Sequence, residues 1–445
     1  MDYYKGLTEQ LVKTCLGCGA DAAEVYLEAG RRLGIDVRNG ALETVEEAAS
    51  QGVGVRVFVK GRMAFCSSND LRPEALESAA ARAIEFARST TADASNVLPS
   101  ETEMSAVEGL YDPAIGGIGM DRKIEMAIAV EKLALKDPRV TKSAGAGYGE
   151  RETEIFLANS NGLSKSYRAS SCSLGVSVVC EKGEQRTSGA EYRTRRFFAD
   201  LPAPEAIAAR AIASAVELLD PRPIKTQRAV VIFDPGVARS ILGGILQAVN
   251  GERVLQGASF LGSRMNQPVA SPLVTLVDDG LRAKGPGSAP FDGEGVPTSR
   301  RVIVEKGVLR GFMYNTAVAR RAGVKSTGNA ARGGFTSVPD IGPHNFYMEA
   351  GSTSPAEIVK ATARGLWLKG VTGYGINPVN GNFSGGAEGL WIENGAVAFP
   401  VKGITIAGTA AEILDGIDLV GSDLDLARGI AAPTFRVKEL QIGGE

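Results

Sequence analysis

A single imidazole, that of His344 in Gly342 Pro343 His344 Asn345, is available to this chain of 445 residues. Most hydrolytic devices use at least one imidazole, and the zinc-protease helix motif uses two on one helix face, so that motif cannot be written here. A serine nucleophile would need His344 as its base, yet the chain has no G-x-S-x-G elbow. Gly381 Asn382 Phe383 Ser384 Gly385 comes nearest, with its serine displaced by one position, and reads as a turn. No Gly-Lys dipeptide occurs, which removes the phosphate-binding loop, and Gly52 Val53 Gly54 and Gly145 Ala146 Gly147 lack the remaining spacing of a dinucleotide fingerprint. His344 is therefore expected to be a loop histidine bonded to backbone or solvent rather than a general base.

Carboxylates are the other groups with chemical capacity: Asp278 and Asp279, then Asp292 and Glu294 within Pro290 to Pro297. Oxygen ligands of this kind suit magnesium or calcium. Their Gly and Pro neighbours point instead to side chains that cap loop backbone. Cys15 and Cys18 form one C-x-x-C without a second pair, so a helix end is expected there rather than zinc. Five cysteines in all, Cys15, Cys18, Cys66, Cys172 and Cys180, are a sparse and odd set that fits a reducing cytoplasm.

The net charge of -2 comes from bases dispersed among acids, which argues against a nucleic-acid footprint. Arg193, Arg195 and Arg196 are the densest basic run, and on an alternating strand they are expected on a solvated face. Met1 to Lys5 lead into an amphipathic segment without the apolar stretch of a signal peptide, and no segment approaches a membrane span. A cytoplasmic location and no membrane partner follow as expectations.

The elements that must position these groups are legible in outline. Leu7, Leu11, Val12 and Cys15 recur at helical spacing until Gly17 to Gly19. Strands are predicted over Ala23 to Val37 and Leu42 to Ala48 around an Asn39 Gly40 hairpin, and over Val53 to Val59. A helix opens at Pro73 and runs to about Arg88, residues 91 to 118 read as a polar linker, and a second helix spans Asp121 to Leu135. A meander follows over Val140 to Tyr148, Thr153 to Asn159, Ser164 to Cys180 and Glu184 to Phe198, then a helix from Pro204 to Leu219. Asp220 Pro221 Arg222 Pro223 restrict the chain and place a domain boundary, giving domains of 1-220 and 221-445. In the second, Lys306 Gly307 and Asn394 Gly395 mark hairpins, and short helices are expected at Gly236 to Val249, Thr316 to Ala322, Pro355 to Arg364 and Ala410 to Leu414. The fold class is α+β: an N-terminal domain of antiparallel strands and helices, then a mainly antiparallel β domain with peripheral helices.

From Asp278 the order of motifs resembles the TldD/TldE (PmbA) family. They are Asp278 Asp279 Gly280 Leu281, Asp292 to Thr298, Val304 to Leu309, and Ser326 to Ala330 with Arg332. Asn382 to Ala387, Trp391 to Gly395 and Thr405 to Gly408 complete the series, and the first half is similar at Ala22 to Ser67 and at Leu157 to Gly162. The resemblance implies a peptidase family with two paralogous subunits, of which the TldD type carries H-E-x-x-x-H on a helix and a cysteine near the C-terminus that together hold zinc. The corresponding helix here is Ser240 to Val249, where Gly243, Gly244 and Ala248 fall at the two histidines and the glutamate, and no cysteine follows Cys180. This chain is thus similar to the TldE or PmbA type, without catalytic or metal residues or a cofactor of its own, and with zinc expected on a TldD-type partner.

The expected function is that of a non-metal-binding subunit in a complex that proteolyses unfolded peptides, such as leader segments or antitoxins. Its partner would be a TldD-type paralogue or a second copy of itself, without direct nucleic-acid contact. Asn329, Arg332, Asn382 and Ser384 are the polar groups expected to face the peptide. Asn382 stands where the family commonly has an acid, and Gly293 replaces another. Two alternatives stay open: a stand-alone regulatory homodimer, in keeping with the family's older label of DNA gyrase modulator, and an independent hydrolase using an oxygen-ligated metal.

Overall fold

A computed structural model describes residues 2–183, 185–373 and 375–445. Helix α1 (Asp2–Gly17) leads into β1 (Ala22–Arg38), which turns through Asn39 and Gly40 into β2 (Ala41–Val59). Both turn residues have positive φ, 56° and 74°, as the tight hairpin requires. Strand β2 is continuous where two strands were expected, because Glu46 to Ala49 stay paired with Arg31 to Gly34 of β1 despite their exposure. A turn at Lys60 and Gly61 adds β3 (Arg62–Ser68), which the periodicity did not single out. Then come α2 (Pro73–Ser89), α3 (Met120–Leu135), β4 (Val140–Asn159), β5 (Ser164–Lys182), β6 (Gln185–Arg195) and α4 (Pro204–Val216). Strand β4 likewise joins two expected segments through Gly149 to Glu152, and Glu184, the expected start of the next strand, lies outside the described residues.

These strands form one antiparallel sheet in the order β3-β2-β1-β4-β5-β6. Side chains alternate across it. Val25, Leu27, Val55, Val57, Phe156 and Leu174 face the helices, with α1 and α2 covering one end and α3 and α4 the other. The opposite face carries Glu24, Tyr26, Arg56, Leu157 and Lys165, buried although three of the five are charged. A second layer must therefore cover it, and the other half of the chain does.

That half begins with β7 (Gln227–Phe233), α5 (Pro235–Ala248), α6 (Gly251–Leu255), β8 (Leu276–Asp279), β9 (Arg300–Glu305) and β10 (Val308–Leu309). It continues through α7 (Thr316–Ala322), β11 (Ala330–Ala331), β12 (Asp340–Ile341), β13 (Phe346–Met348), α8 (Pro355–Lys360) and β14 (Arg364–Thr372). It ends with β15 (Asn382–Glu393), β16 (Ala396–Thr409), α9 (Ala410–Gly416), β17 (Ile417–Val420), β18 (Ile430–Ala431) and β19 (Phe435–Gly443). Strands run β16-β15-β14-β7-β19-β17, and β16 also pairs with β19, so this sheet closes into a barrel-like wall around α5 and the core of Phe233, Trp391 and Phe435. Most pairings are antiparallel; β7 with β14 and β13 with β18 are parallel.

Asn382 to Gly385, expected within a turn, open β15, and only Gly381, with a φ of 78°, precedes the strand. A Cβ on Gly385 would stand 2.5 Å from the Thr372 carbonyl and one on Gly389 2.2 Å from that of Trp367, so these glycines let β14 approach closely. Residues 91–118, expected as a linker, are tied down along the seam between the halves. Ser105 donates to the carbonyls of Pro290 and Thr298, and Asn159 donates to that of Pro99.

Candidate functional site

The seam between the charged face of the first sheet and the loops of the second half gathers the ionisable groups. Arg56 donates one amino group to Glu24 at 2.8 Å and to Glu294 at 3.0 Å. Glu24 also accepts from Arg332, whose other donors reach the carbonyls of Gly293 at 2.7 Å and Ser337 at 2.8 Å. Burial works against the charge on Arg56, but Glu24 and then Glu294 outweigh it and its pKa lies above the ordinary arginine value. For Arg332 burial wins and the pKa falls, with Glu24 opposing.

Asp292 is the hub of the adjoining loop. One oxygen accepts from the amides of Glu294 and Val296 at 2.9 and 3.0 Å, and the other from Ala330 at 2.9 Å. Burial, then the neighbouring Glu294, raises its pKa while the three amides oppose the shift. Glu294 spends its second oxygen on the Thr316 amide at 2.8 Å. These acids bind protein groups as loop caps.

Asp278, only 1% exposed, accepts from the His344 amide at 2.8 Å and from Asn329 at 2.7 Å. Burial raises its pKa, and His344 and Asn329 pull it back. His344 directs Nε2 at the Gly328 carbonyl, 2.6 Å away, and Nδ1 at that of Gly287, 3.3 Å away. Asn329 also donates to the Gly342 carbonyl and accepts from Thr327. The single imidazole thus pins three loops.

Of the residues expected to face a peptide, Asn329 and Arg332 sit in this seam with their polar atoms engaged inside the protein. Arg332 still borders an adjoining groove. Asn382 and Ser384 lie elsewhere: they flank buried Phe383 on the exposed side of β15, opposite Thr409 and Ala407. No hydrogen bond among the described residues links the two pairs. Glu24 and Arg56 were missed because the alternation of Val53, Val55 and Val57 marks the helix-facing side and leaves Arg56 looking solvent-directed.

Asp234 caps α5 through the Gly236 amide, and the helix carries Gly243, Gly244 and Ala248. No atom lies within 4 Å of a Cβ built on Gly243, whereas one on Gly244 would stand 2.6 Å from Cβ of Ile376. Ala248 is fully buried in the barrel core. The helix therefore offers no ligand atom at these positions, and the chain crossing at Ile376 leaves no room for a side chain on Gly244. Among the described residues, no three His, Cys, Asp or Glu side chains converge as a metal site. The residues of α5 do not fit a metal ion.

A groove of about 860 Å³ opens between α4, β6 and the start of α5, with Glu191, Arg193, Asp234, Arg239, Asp425 and Arg428 on its walls. Arg193 bonds both Glu191 and Asp425, joining the halves. Burial and then the charge of Arg428 depress the pKa of Arg239. Lys369 holds Asp234 at 3.1 Å and Glu217 at 3.2 Å beside the helix start.

Three family models cover most of the chain: PmbA/TldA metallopeptidase domain 1 over residues 23–87, the central domain over 114–219 and the C-terminal domain over 226–444. Metalloprotease PmbA of Escherichia coli O157:H7 is 29% identical over 447 residues, covering 99% of this chain and 96% of that protein. A metalloprotease TldD homologue of Haemophilus influenzae is 25% identical, covering 95% and 93%. Among solved structures, a Bacteroides thetaiotaomicron protein described as a candidate modulator of DNA gyrase superposes with a TM-score of 0.92 at 27% identity, covering 100% of both chains. TldE from Thermococcus kodakarensis superposes with a TM-score of 0.89 at 25% identity, covering 98% and 100%.

Proposed function

This chain belongs to the PmbA/TldD metallopeptidase family, and we propose that within it the chain is the subunit without a metal, working with a TldD-type paralogue to cleave unfolded peptides in the cytoplasm. The observation that carries this reading is α5: Gly243, Gly244 and Ala248 have no side chain that can bind a metal or move a proton, and Ile376 closes over Gly244. Generating hydroxide at neutral pH is a task for which bound zinc is suited, and that chemistry would belong to the partner. This chain would contribute walls of a shared channel. The groove beside α5 and the exposed start of β15, with Asn382 and Ser384, are the surfaces through which an extended backbone could be held by main-chain and polar hydrogen bonds. Asn329 and Arg332 would act from behind, fixing the loops that border it. No helix among the described residues is long and apolar enough to cross a membrane.

The test is reconstitution. The purified chain should carry no stoichiometric zinc by elemental analysis and should leave an unfolded peptide intact, and adding a TldD-type protein should restore cleavage. Replacing His344 by Ala should then change the rate far less than the ~100-fold or more expected of a general base. One zinc per chain, or cleavage by the chain alone, would overturn the assignment.

A further inference from the structure

The basic run Arg193, Arg195, Arg196, expected on a solvated face, lies instead at the end of β6 where the halves meet. Arg193 is consumed by Glu191 and Asp425. The other two border a second groove, of about 510 Å³, whose floor is the exposed end of the charged sheet face and whose roof is the loop at 284–289. Its cations are Arg151, Arg195, Arg196, Lys284 and Arg332, and no carboxylate is among its lining residues.

Three of these charges are neutralised from outside the groove: Arg151 by Glu28 at 2.9 Å, Lys284 by Asp200 at 2.7 Å, and Arg332 by Glu24. Arg195 and Arg196 have no carboxylate within 4 Å among the described residues; Arg195 only donates to the Thr194 carbonyl. Arg196 is held by the carbonyls of Ser170, Gly285, Pro286 and Ser288, at 2.7 to 3.3 Å. These bonds use four of its five N–H groups and fix the guanidinium plane without cancelling its charge. Burial lowers its pKa, as expected for a cation lacking an anion. Tyr167, set edge-on against Phe291 at 5.2 Å, lines the same groove, and its hydroxyl has no bonded partner among the described residues.

A concave site with apolar walls from Ile155, Ala169 and Ala289, two uncompensated guanidiniums and a free phenol is complementary to one small oxyanion on a larger apolar ligand. A nucleic acid would instead need a basic stripe along the surface. We propose that this groove is a carboxylate site that anchors a peptide through Arg195, Arg196 and the Tyr167 hydroxyl. The proposal rests on the peptide-handling reading above and adds a preference for peptides that bring a carboxylate, from a C-terminus or an acidic side chain.

The experiment uses the full chain and three fluorescent peptides of one apolar sequence, read by anisotropy at low salt. One has a free C-terminus, one is C-terminally amidated, and one is amidated with a single internal Glu. The free acid should bind roughly tenfold or more tightly than the amide, the range of a charge-assisted hydrogen bond. Arg195→Gln should bring the acid down to the amide's affinity with the melting temperature unchanged. Arg196→Lys, which keeps the charge but gives up the carbonyl bonds that fix its direction, should weaken the acid selectively and serves as the second variant. Recovery of affinity by the Glu-bearing amide would assign the site to side-chain carboxylates, and its failure to recover would assign it to the C-terminus; either supports the site. Equal binding of acid and amide would overturn the carboxylate site and leave the peptide reading standing. Absence of binding by all three would overturn the carboxylate site, while the reconstitution with a TldD-type protein decides the peptide-handling reading separately. Displacement of the acid by sub-millimolar inorganic phosphate would overturn the assignment to a peptide.

Discussion

Replacing Arg56 by Met should destabilise the protein by about 3–5 kcal/mol, the usual cost of removing one partner of a buried ion pair. The magnitude follows from the seam. The Arg56 side chain is 8% exposed and bridges Glu24 and Glu294, each 1% exposed. Without Arg56, Glu24 keeps Arg332, but Glu294 keeps only the neutral Thr316 amide. Glu294 is therefore the group stranded, and Arg56→Met with Glu294→Gln should recover about 1–3 kcal/mol by deleting that orphan charge. Urea unfolding is the assay, followed by far-UV circular dichroism for the whole chain and by tryptophan fluorescence for the second half, which holds both Trp367 and Trp391. For a half of this size the single variant should melt roughly 6–20 °C earlier. A loss below about 1 kcal/mol, or no recovery in the double variant, would refute the view that the seam is a dry, mutually dependent network.

Two further expectations test the packing and electrostatics beside it. Gly244→Ala should lose up to ~2 kcal/mol, because overpacking against Ile376 costs about 1–3 and the gain in helix propensity returns about 1, whereas Gly243→Ala should gain ~0.5–1; calorimetric melting of the pair should give opposite signs. Asp292 has a folded-state pKa raised by burial, so the folded protein holds a proton that the unfolded chain releases near pH 4. This contribution to stability is present below that value and declines as pH rises towards the folded pKa, at no more than ~1.4 kcal/mol per pH unit. Asp292→Asn should lose ~1–3 kcal/mol by misplacing a donor against the loop amides, and should lack that downward slope in denaturant titrations from pH 4 to 7. An unchanged slope would mean that the three amides keep Asp292 ionised.

The sequence alone determined what local physics controls. The Asn39 Gly40 hairpin, helices such as Pro73–Ser89 and Thr316–Ala322, and the succession of an N-terminal helix-and-strand half and a β-rich half all follow from turn chemistry and short-range periodicity. The absence of ligand side chains at Gly243, Gly244 and Ala248 was equally plain, since a missing functional group needs no geometry to be seen. Tertiary structure decided the continuity of β2 and β4, because polar middles such as Glu46 to Ala49 remain strand only through long-range pairing with β1. It also decided which charges are buried. Arg56 and Arg196 look like solvated residues on alternating strands, for periodicity separates two faces but does not say what covers the second. Glu24 already stands across from Arg56 on β1, and the docking of the second half onto that face buries this pair and adds Glu294 to it. The same docking turns Asn329 and Arg332 inward, leaves Asn382 and Ser384 outside, and encloses Arg195 and Arg196 in a groove without an acid.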